Sequence, residues 1–127
     1  NAGEDSKSIL PLLEGNPERP VRDSAIFHSA DGRFAIREGQ WKLILGPGSG
    51  GYGTEPSDDT AINQGLPSVQ LYNLKEDPGE TTNLQNDHPA IVERLKNFLE
   101  QYVLEGRTTQ GTPQENDVKV ISNITPD

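Results

Sequence analysis

The fold is decided by residues 24–45, which read SAIFHSADGRFAIREGQWKLIL. This stretch alternates apolar and polar residues and contains two pairs that favour tight turns, Asp31-Gly32 and Glu38-Gly39. Alternation with a period of two is typical of strands that bury one face. We therefore predict a meander of three antiparallel strands joined by two-residue turns.

The two turns also predict how the strands pair. Counting outward from the first turn places Ser29 opposite Phe34 and His28 opposite Ala35. Counting from the second turn places Ala35 opposite Lys42. The prediction thus puts His28, Ala35 and Lys42 in one row across the three strands.

This register divides the sheet into two faces, because side chains alternate along a strand. The apolar face is expected to carry Phe27, Phe34, Ile36, Trp41, Leu43 and Leu45. The opposite face is expected to carry His28, Arg33, Ala35, Arg37 and Lys42, with Ile26 and Ile44. One face has the composition of a core, and the other is basic.

Local signals outside the meander predict the remaining elements. A fourth strand is expected at 69–74 before a turn at 77–79, and an amphipathic helix from Pro89 to Gly106. A short helix is expected at 8–14, capped by Ser8 and in need of a partner surface for its four large apolar residues. Two further segments are a long Gly-rich loop at 46–68 and an edge strand at 118–121.

The sequence therefore predicts an α+β fold: a small four-stranded antiparallel sheet with a C-terminal amphipathic helix packed on one face. Residues 1–23 are expected to be a linker and short helix, residues 24–106 the folded subdomain, and residues 107–127 a polar tail. The chain has neither an initiator methionine nor an apolar signal segment at its start. We expect it to begin inside a longer polypeptide.

Composition argues against several classes of function. Acidic residues outnumber basic residues 20 to 11, so the net charge is −9, which argues against general binding of nucleic acid or anionic membranes. With no cysteine, the chain has no disulfide, thiolate metal site or cysteine nucleophile. It also has no run of about 18 apolar residues, the length needed to span a membrane.

Three segments, followed by the predicted helix at Pro89, resemble sulfatases in the order of that family. The stretch LYNLKEDPGETTNL at 71–84 resembles the family's closing segment. The stretch DSKSILPLLEG at 5–15 is similar to the segment before its C-terminal subdomain, and FAIREGQWKLILGPGSGG at 34–51 is similar to the meander of bacterial arylsulfatases. The resemblance spans roughly residues 5–115.

The resemblance implies an alkaline-phosphatase-like hydrolase whose N-terminal domain holds a formylglycine nucleophile, made in a C/S-x-P-x-R motif, and a calcium ion. This sequence lacks that motif, so we assign it no catalytic residue, no metal ligand and no cofactor. The nucleophile and the calcium are expected in a domain upstream of Asn1. The parent protein is expected to be periplasmic or secreted.

The resemblance also implies a C-terminal subdomain that lies beside the active-site cleft and contributes to selecting a sulfated carbohydrate or aryl sulfate. The partner is then the N-terminal sulfatase domain of the same polypeptide. Backbone N–H groups of a Gly-rich loop can approach a ligand closely, and basic side chains attract anions. The candidate substrate-binding residues are His28, Arg37, Lys42, Gly48, Ser49 and Gly50.

Other interpretations stay open at this point. The outer face of an antiparallel sheet is normally polar, so its basic residues need no ligand. One alternative function is a non-catalytic module that binds sulfated or anionic glycans. Another is a protein-interaction domain whose apolar surface is an interface. The acidic residues Asp58 and Asp59 indicate a solvated loop, because the spacing of a calcium-binding loop is absent.

Overall fold

The computed structural model describes residues 5–15, 20–30, 32–51 and 53–115. The elements in chain order are α1 (Leu10–Leu13), β1 (Ser24–His28), β2 (Phe34–Glu38), β3 (Trp41–Ile44), α2 (Asp58–Asn63), β4 (Gln70–Asn73) and α3 (Pro89–Glu105). The four strands form one antiparallel sheet in the order β1-β2-β3-β4. The α+β class and the four-stranded sheet with a C-terminal helix are thus confirmed.

The core lies between one face of this sheet and α3. Its fully buried side chains come from the three strands β2, β3 and β4 and from α3: Ile36, Leu43, Leu71, Leu95 and Leu99. Burying an aliphatic side chain of this size contributes roughly 1.5–3 kcal/mol. Leu95 and Leu99 are four residues apart, so both lie on the same side of the helix.

The predicted limits of α3 are confirmed. Pro89 occupies the first turn, where its missing N–H leaves no hydrogen bond unmade. Gly106 ends the helix in the left-handed conformation, with φ of 62°. Among the described residues, no helix is long and apolar enough to cross a membrane.

The predicted register between β1 and β2 is wrong by one residue. The observed partner of Phe27 is Ala35, and the partner of His28 is Phe34. The physical reason is the loop length: the Ser29 N–H donates to the Arg33 carbonyl oxygen at 2.8 Å, which leaves three residues between them. Asp31, half of the predicted two-residue turn, lies outside the described residues.

This shift exchanges the faces of the β1 side chains, because a slip of one residue turns each of them over. Ile26 packs against the core, whereas Phe27 lies on the outer face and is 49% exposed. His28 consequently leaves the row of Ala35 and Lys42, and its ring lies 6.5 Å from that of Phe34. The other residues predicted for the apolar face, Phe34, Ile36, Trp41, Leu43 and Leu45, belong to the core or pack against it.

The second turn is displaced by one residue, from Glu38-Gly39 to Gly39-Gln40, and this shifts the register between β2 and β3 by two residues. Glu38 pairs with Trp41, and Lys42 therefore lies opposite Arg37 instead of Ala35. A register shift of two residues keeps each side chain on its predicted face. Lys42 thus stays on the outer face.

The segments outside the sheet differ from the prediction in two places. The long loop at 46–68 contains α2, which begins after Ser57, whose side chain accepts a hydrogen bond from the Thr60 N–H at 3.2 Å. The N-terminal helix α1 is shorter than predicted and its N-cap is Ile9, although the predicted capping residue Ser8 accepts a hydrogen bond from the Leu10 N–H at 3.3 Å. The predicted edge strand at 118–121 lies outside the described residues.

Candidate functional site

A cavity of about 410 Å³ lies on the outer side of the sheet. Its lining includes five of the six residues predicted to bind substrate: His28, Arg37, Lys42, Ser49 and Gly50. The observed register assigns the His28 side chain to the face of Ile26 and Phe34, so His28 borders the cavity at the end of β1, where its Nδ1 lies 3.1 Å from the Ser29 carbonyl oxygen. Phe27 and Glu80 also contribute to the lining, and neither was predicted from the sequence to contact a ligand.

Arg33 is not the exposed cation that the sequence suggested. Its side chain is only 6% exposed, and its guanidinium forms an ion pair with the Asp58 carboxylate. Its Nη1 also donates to the Gly48 carbonyl oxygen at 3.1 Å. Asp58 in turn accepts a hydrogen bond from the Gly48 N–H at 2.9 Å, so its carboxylate is not simply solvated.

The glycines of the loop allow it to approach Arg33 closely. A Cβ atom at Gly46 would overlap the Arg33 Nε, and one at Gly48 would lie 2.7 Å from the Asp58 Oδ1. Gly48 is buried and does not line the cavity. Its N–H and its carbonyl oxygen bond to Asp58 and Arg33, and the Gln70 Nε2 also donates to that oxygen.

Lys42 is also paired. Its Nζ lies 2.6 and 2.8 Å from the two carboxylate oxygens of Glu80. The two side chains are 24% and 30% exposed, so the pair is partly shielded from water. Two cations of the predicted basic face, Arg33 and Lys42, are therefore neutralised by carboxylates from other segments.

Glu80 has a left-handed backbone, with φ of 54°, and is the one non-glycine residue with positive φ in the described ranges. For a residue with a side chain this conformation costs roughly 1–3 kcal/mol. The turn around it is held by Asp77, whose carboxylate accepts hydrogen bonds from the Thr82 N–H at 2.9 Å and the Thr81 N–H at 2.7 Å. These bonds, led by that of Thr82, lower the pKa of Asp77.

Tyr72, next to Lys42 in the neighbouring strand, reports the local electrostatics. Its hydroxyl donates to the Gln70 Oε1 at 2.7 Å. Burial raises the pKa of Tyr72, and the negative charges of Glu80 and Asp77 raise it further. Two carboxylates, those of Glu80 and Asp77, thus act on the residue next to Lys42.

Arg37 is the cation that stays available at the cavity. It is exposed, and its Nε donates to the Gly39 carbonyl oxygen at 3.0 Å. Across the part of the chain that the structure describes, no carboxylate forms an ion pair with it. The cavity thus combines one available guanidinium, one neutral Lys42–Glu80 pair and the apolar ring of Phe27. This set suits recognition of a ligand that has hydroxyl groups and an anionic group.

Side chains that commonly bind metals are not clustered in the part of the chain that the structure describes. No group of three or more His, Cys, Asp or Glu side chains is placed to hold a metal ion in residues 5–15, 20–30, 32–51 and 53–115. Calcium prefers six to eight oxygen ligands, which needs several such side chains.

Two solved structures resemble part of this chain. One comes from a study of the metabolism of multiple glycosaminoglycans by Bacteroides thetaiotaomicron; it is 25% identical, has a TM-score of 0.47, and is matched over 73% of this chain and 22% of that chain. Another is the crystal structure of Ps i-CgsB, with 18% identity, a TM-score of 0.40, and coverage of 73% and 17%.

The sequence relationship is more informative. No protein-family model matches the chain. A curated N-acetylgalactosamine-6-O-sulfatase of Bacteroides thetaiotaomicron is 33% identical over an alignment of 109 residues that covers 79% of this chain and 19% of the relative. The chain thus spans about a fifth of the length of this relative. It is a sulfatase-related domain, as the resemblance of its sequence segments predicted.

Proposed function

We propose that this chain is the C-terminal accessory domain of a sulfatase, where it completes the fold and forms one wall of the substrate cleft. The observation that carries this proposal is the convergence of predicted residues from the outer sheet face and the Gly-rich loop on one cavity: Arg37, Lys42, Ser49 and Gly50, with His28 at its border. The relationship to a sulfatase supports sulfuric ester hydrolysis as the reaction of the whole polypeptide. The formylglycine nucleophile and the calcium ion belong, in this proposal, to an N-terminal domain.

The exposed helix α1 supports a partner domain. Its apolar side chains are between 49% and 73% exposed, together with that of the preceding residue: Ile9, Leu10, Leu12 and Leu13. A contiguous apolar patch on a protein surface usually marks an interface. We propose that the catalytic domain of the same polypeptide covers this patch.

The proposed substrate is a sulfated carbohydrate. The curated relative is named for sulfate on N-acetylgalactosamine, and a sugar of this kind carries both hydroxyl groups and an anion. The cavity offers partners for both, in the Lys42–Glu80 pair and in Arg37. A non-catalytic glycan-binding module is the alternative, and it is less well supported because Arg33 and Lys42 are already paired with carboxylates.

The test compares two substrates in the full-length polypeptide that contains this chain. We expect Arg37→Ala and His28→Ala to lower kcat/KM for an oligosaccharide ending in N-acetylgalactosamine 6-sulfate by about 1–3 kcal/mol, or roughly 5- to 150-fold. Turnover of 4-nitrophenyl sulfate should be unchanged, because this small ester does not extend to the cavity. Lys96→Ala, an exposed position on α3, is the control.

Equal losses on both substrates would contradict a role in substrate selection. The second arm uses the 127-residue chain alone, which should not hydrolyse 4-nitrophenyl sulfate in the presence of calcium, because it lacks the C/S-x-P-x-R motif. Calcium-dependent hydrolysis by the pure chain would contradict the accessory assignment. Glycan binding by the chain alone that is as tight as binding by the full-length polypeptide would favour the alternative module.

A further inference from the structure

We propose that Glu80 determines the specificity of the cavity: it restricts the position at Lys42 to an uncharged, hydroxylated sugar unit and leaves Arg37 as the position for an anionic group. The proposal rests on the function proposed above and names the ligand class for the same cavity. That class is a saccharide with one anionic group at this site, as opposed to a densely sulfated one.

The first step is that the positive charge of Lys42 is compensated. Both carboxylate oxygens of Glu80 lie within 2.8 Å of the Lys42 Nζ, so the cation is already compensated. A sulfate brought to Lys42 would therefore also approach the negative charge of Glu80, and like charges repel at such distances. The partial burial of both side chains weakens the screening of this repulsion by salt.

The same pair suits neutral hydroxyl groups. An ammonium group has three N–H donors, and a carboxylate has about four acceptor positions. The contacts between Lys42 and Glu80 use only part of this capacity. A hydroxyl group both donates and accepts, so a sugar hydroxyl can bond to the two partners together. The apolar ring of Phe27, 49% exposed in the same cavity, offers a surface for the C–H face of the sugar.

The second step is the backbone of Glu80. A glycine would adopt its positive φ of 54° without steric cost, yet this position carries a side chain whose carboxylate lines the cavity. Hydrogen bonds from the Thr81 and Thr82 N–H groups to Asp77 hold the turn in this shape. A strained residue that places its charged group in a cavity points to a function of that group.

The third step is the separation of the two positions. Arg37 and Lys42 are cross-strand partners, so the available cation and the compensated one lie side by side. Of the two, Arg37 is the one that has no carboxylate partner among the described residues. An anionic group on the ligand is therefore favoured at Arg37 and disfavoured at the neighbouring position.

The experiment titrates the 127-residue chain with three probes and follows backbone amide shifts by NMR. The probes are N-acetylgalactosamine, its 6-sulfate and its 4,6-disulfate. We expect the wild-type chain to bind the monosulfate more tightly than the disulfate. Glu80→Gln keeps the size of the side chain and removes its charge, and should raise the affinity for the disulfate roughly five-fold, the effect of one unit charge at about 4 Å in water.

Two further variants separate the local effect from a general one. Glu76→Gln makes the same change of charge at an exposed position outside the cavity and should leave all three affinities unchanged. Lys42→Gln leaves Glu80 without its cation and should weaken binding of both sulfated probes, an effect opposite in sign to that of Glu80→Gln. If either Glu80→Gln or Lys42→Gln fails to fold, the other variant still tests the proposal.

Three results would overturn the proposal. One is an equal gain in disulfate affinity for Glu76→Gln and Glu80→Gln, which would show a general effect of net charge. Another is an unchanged disulfate affinity in folded Glu80→Gln. The third is the absence of binding of all three probes to the wild-type chain. That result leaves the proposed accessory function to be decided by the turnover comparison in the full-length polypeptide.

Discussion

The guanidinium of Arg33 forms an ion pair with the carboxylate of Asp58, which lies 25 residues further along the chain. Both groups also bond to the backbone of Gly48, between them in sequence. The pair thus fastens the Gly-rich loop to the end of the β1–β2 hairpin and to the start of α2. Arg33 was predicted from the sequence to lie on the basic outer face. In the structure its guanidinium instead anchors the loop.

Removing the Arg33 guanidinium should loosen the Gly-rich loop. We expect Arg33→Met to lower the free energy of unfolding by about 1–3 kcal/mol, because Asp58 and the Gly48 carbonyl oxygen lose a charged partner. Arg94→Met is the control, since its pair with Glu38 is more exposed and should contribute only about 0–1 kcal/mol. Urea unfolding measures both variants, and equal losses would contradict the anchoring role.

A methyl group on the loop should test its close approach to Arg33. In Gly46→Ala the new Cβ would overlap the Arg33 Nε, so we expect a loss of roughly 1–3 kcal/mol in thermal or urea unfolding. Gly79→Ala is a matched control, because nothing lies closer than 3.5 Å to a Cβ there. A tolerated Gly46→Ala would mean that the loop is not packed on Arg33.

The assignment of the two sheet faces predicts unequal costs for two apolar truncations. Leu43 is fully buried, so Leu43→Ala should cost about 2–5 kcal/mol. Phe27 lies on the outer face and is half exposed, so Phe27→Ala should cost about 1 kcal/mol or less although the residue removed is larger. The midpoints of urea unfolding of the two variants, compared with that of the wild type, measure both costs. A larger loss for Phe27→Ala would restore the register predicted from the sequence.

Acid should destabilise the turn that carries Glu80. The bonds from the Thr82 and Thr81 N–H groups lower the pKa of Asp77 in the folded chain, so the folded state binds this proton less readily than the unfolded state. The stabilisation from Asp77 is therefore present above about pH 4, the usual Asp range, and is lost as the pH falls through the lower folded pKa. Unfolding measured from pH 6 to pH 2 should show a shallower loss in Asp77→Asn than in the wild type. Identical acid slopes would disprove this role.

The local pattern of the sequence determined the type of each major element and most of the core. The alternation around Ile36 and Leu43 predicts strands with one apolar face, and Pro89 and Gly106 mark the limits of α3. These features depend on neighbouring residues and can be seen without the rest of the chain. The sulfatase relationship was also visible in the order of short segments.

The register depended on loop length, which the turn residues did not decide. A three-residue loop in place of Asp31-Gly32 shifts β1 by one residue and moves Phe27 to the outer face. The second turn moves by one residue without a change of length, which shifts the register by two, and the faces of Trp41 and Leu43 are unaffected. A register error of one residue therefore changes the face of each side chain, and a register error of two residues does not.

The charges of the cavity were decided by tertiary structure alone. The sequence identified His28, Arg37 and Lys42 as a basic set, and the folded chain brings all three to one cavity. It also brings Glu80 to Lys42 across 38 residues and Asp58 to Arg33 across 25. Ion pairs between such distant segments follow from the path of loops in space, which neither alternation nor helical periodicity encodes. Which cation stays available to a ligand is consequently a property of the fold.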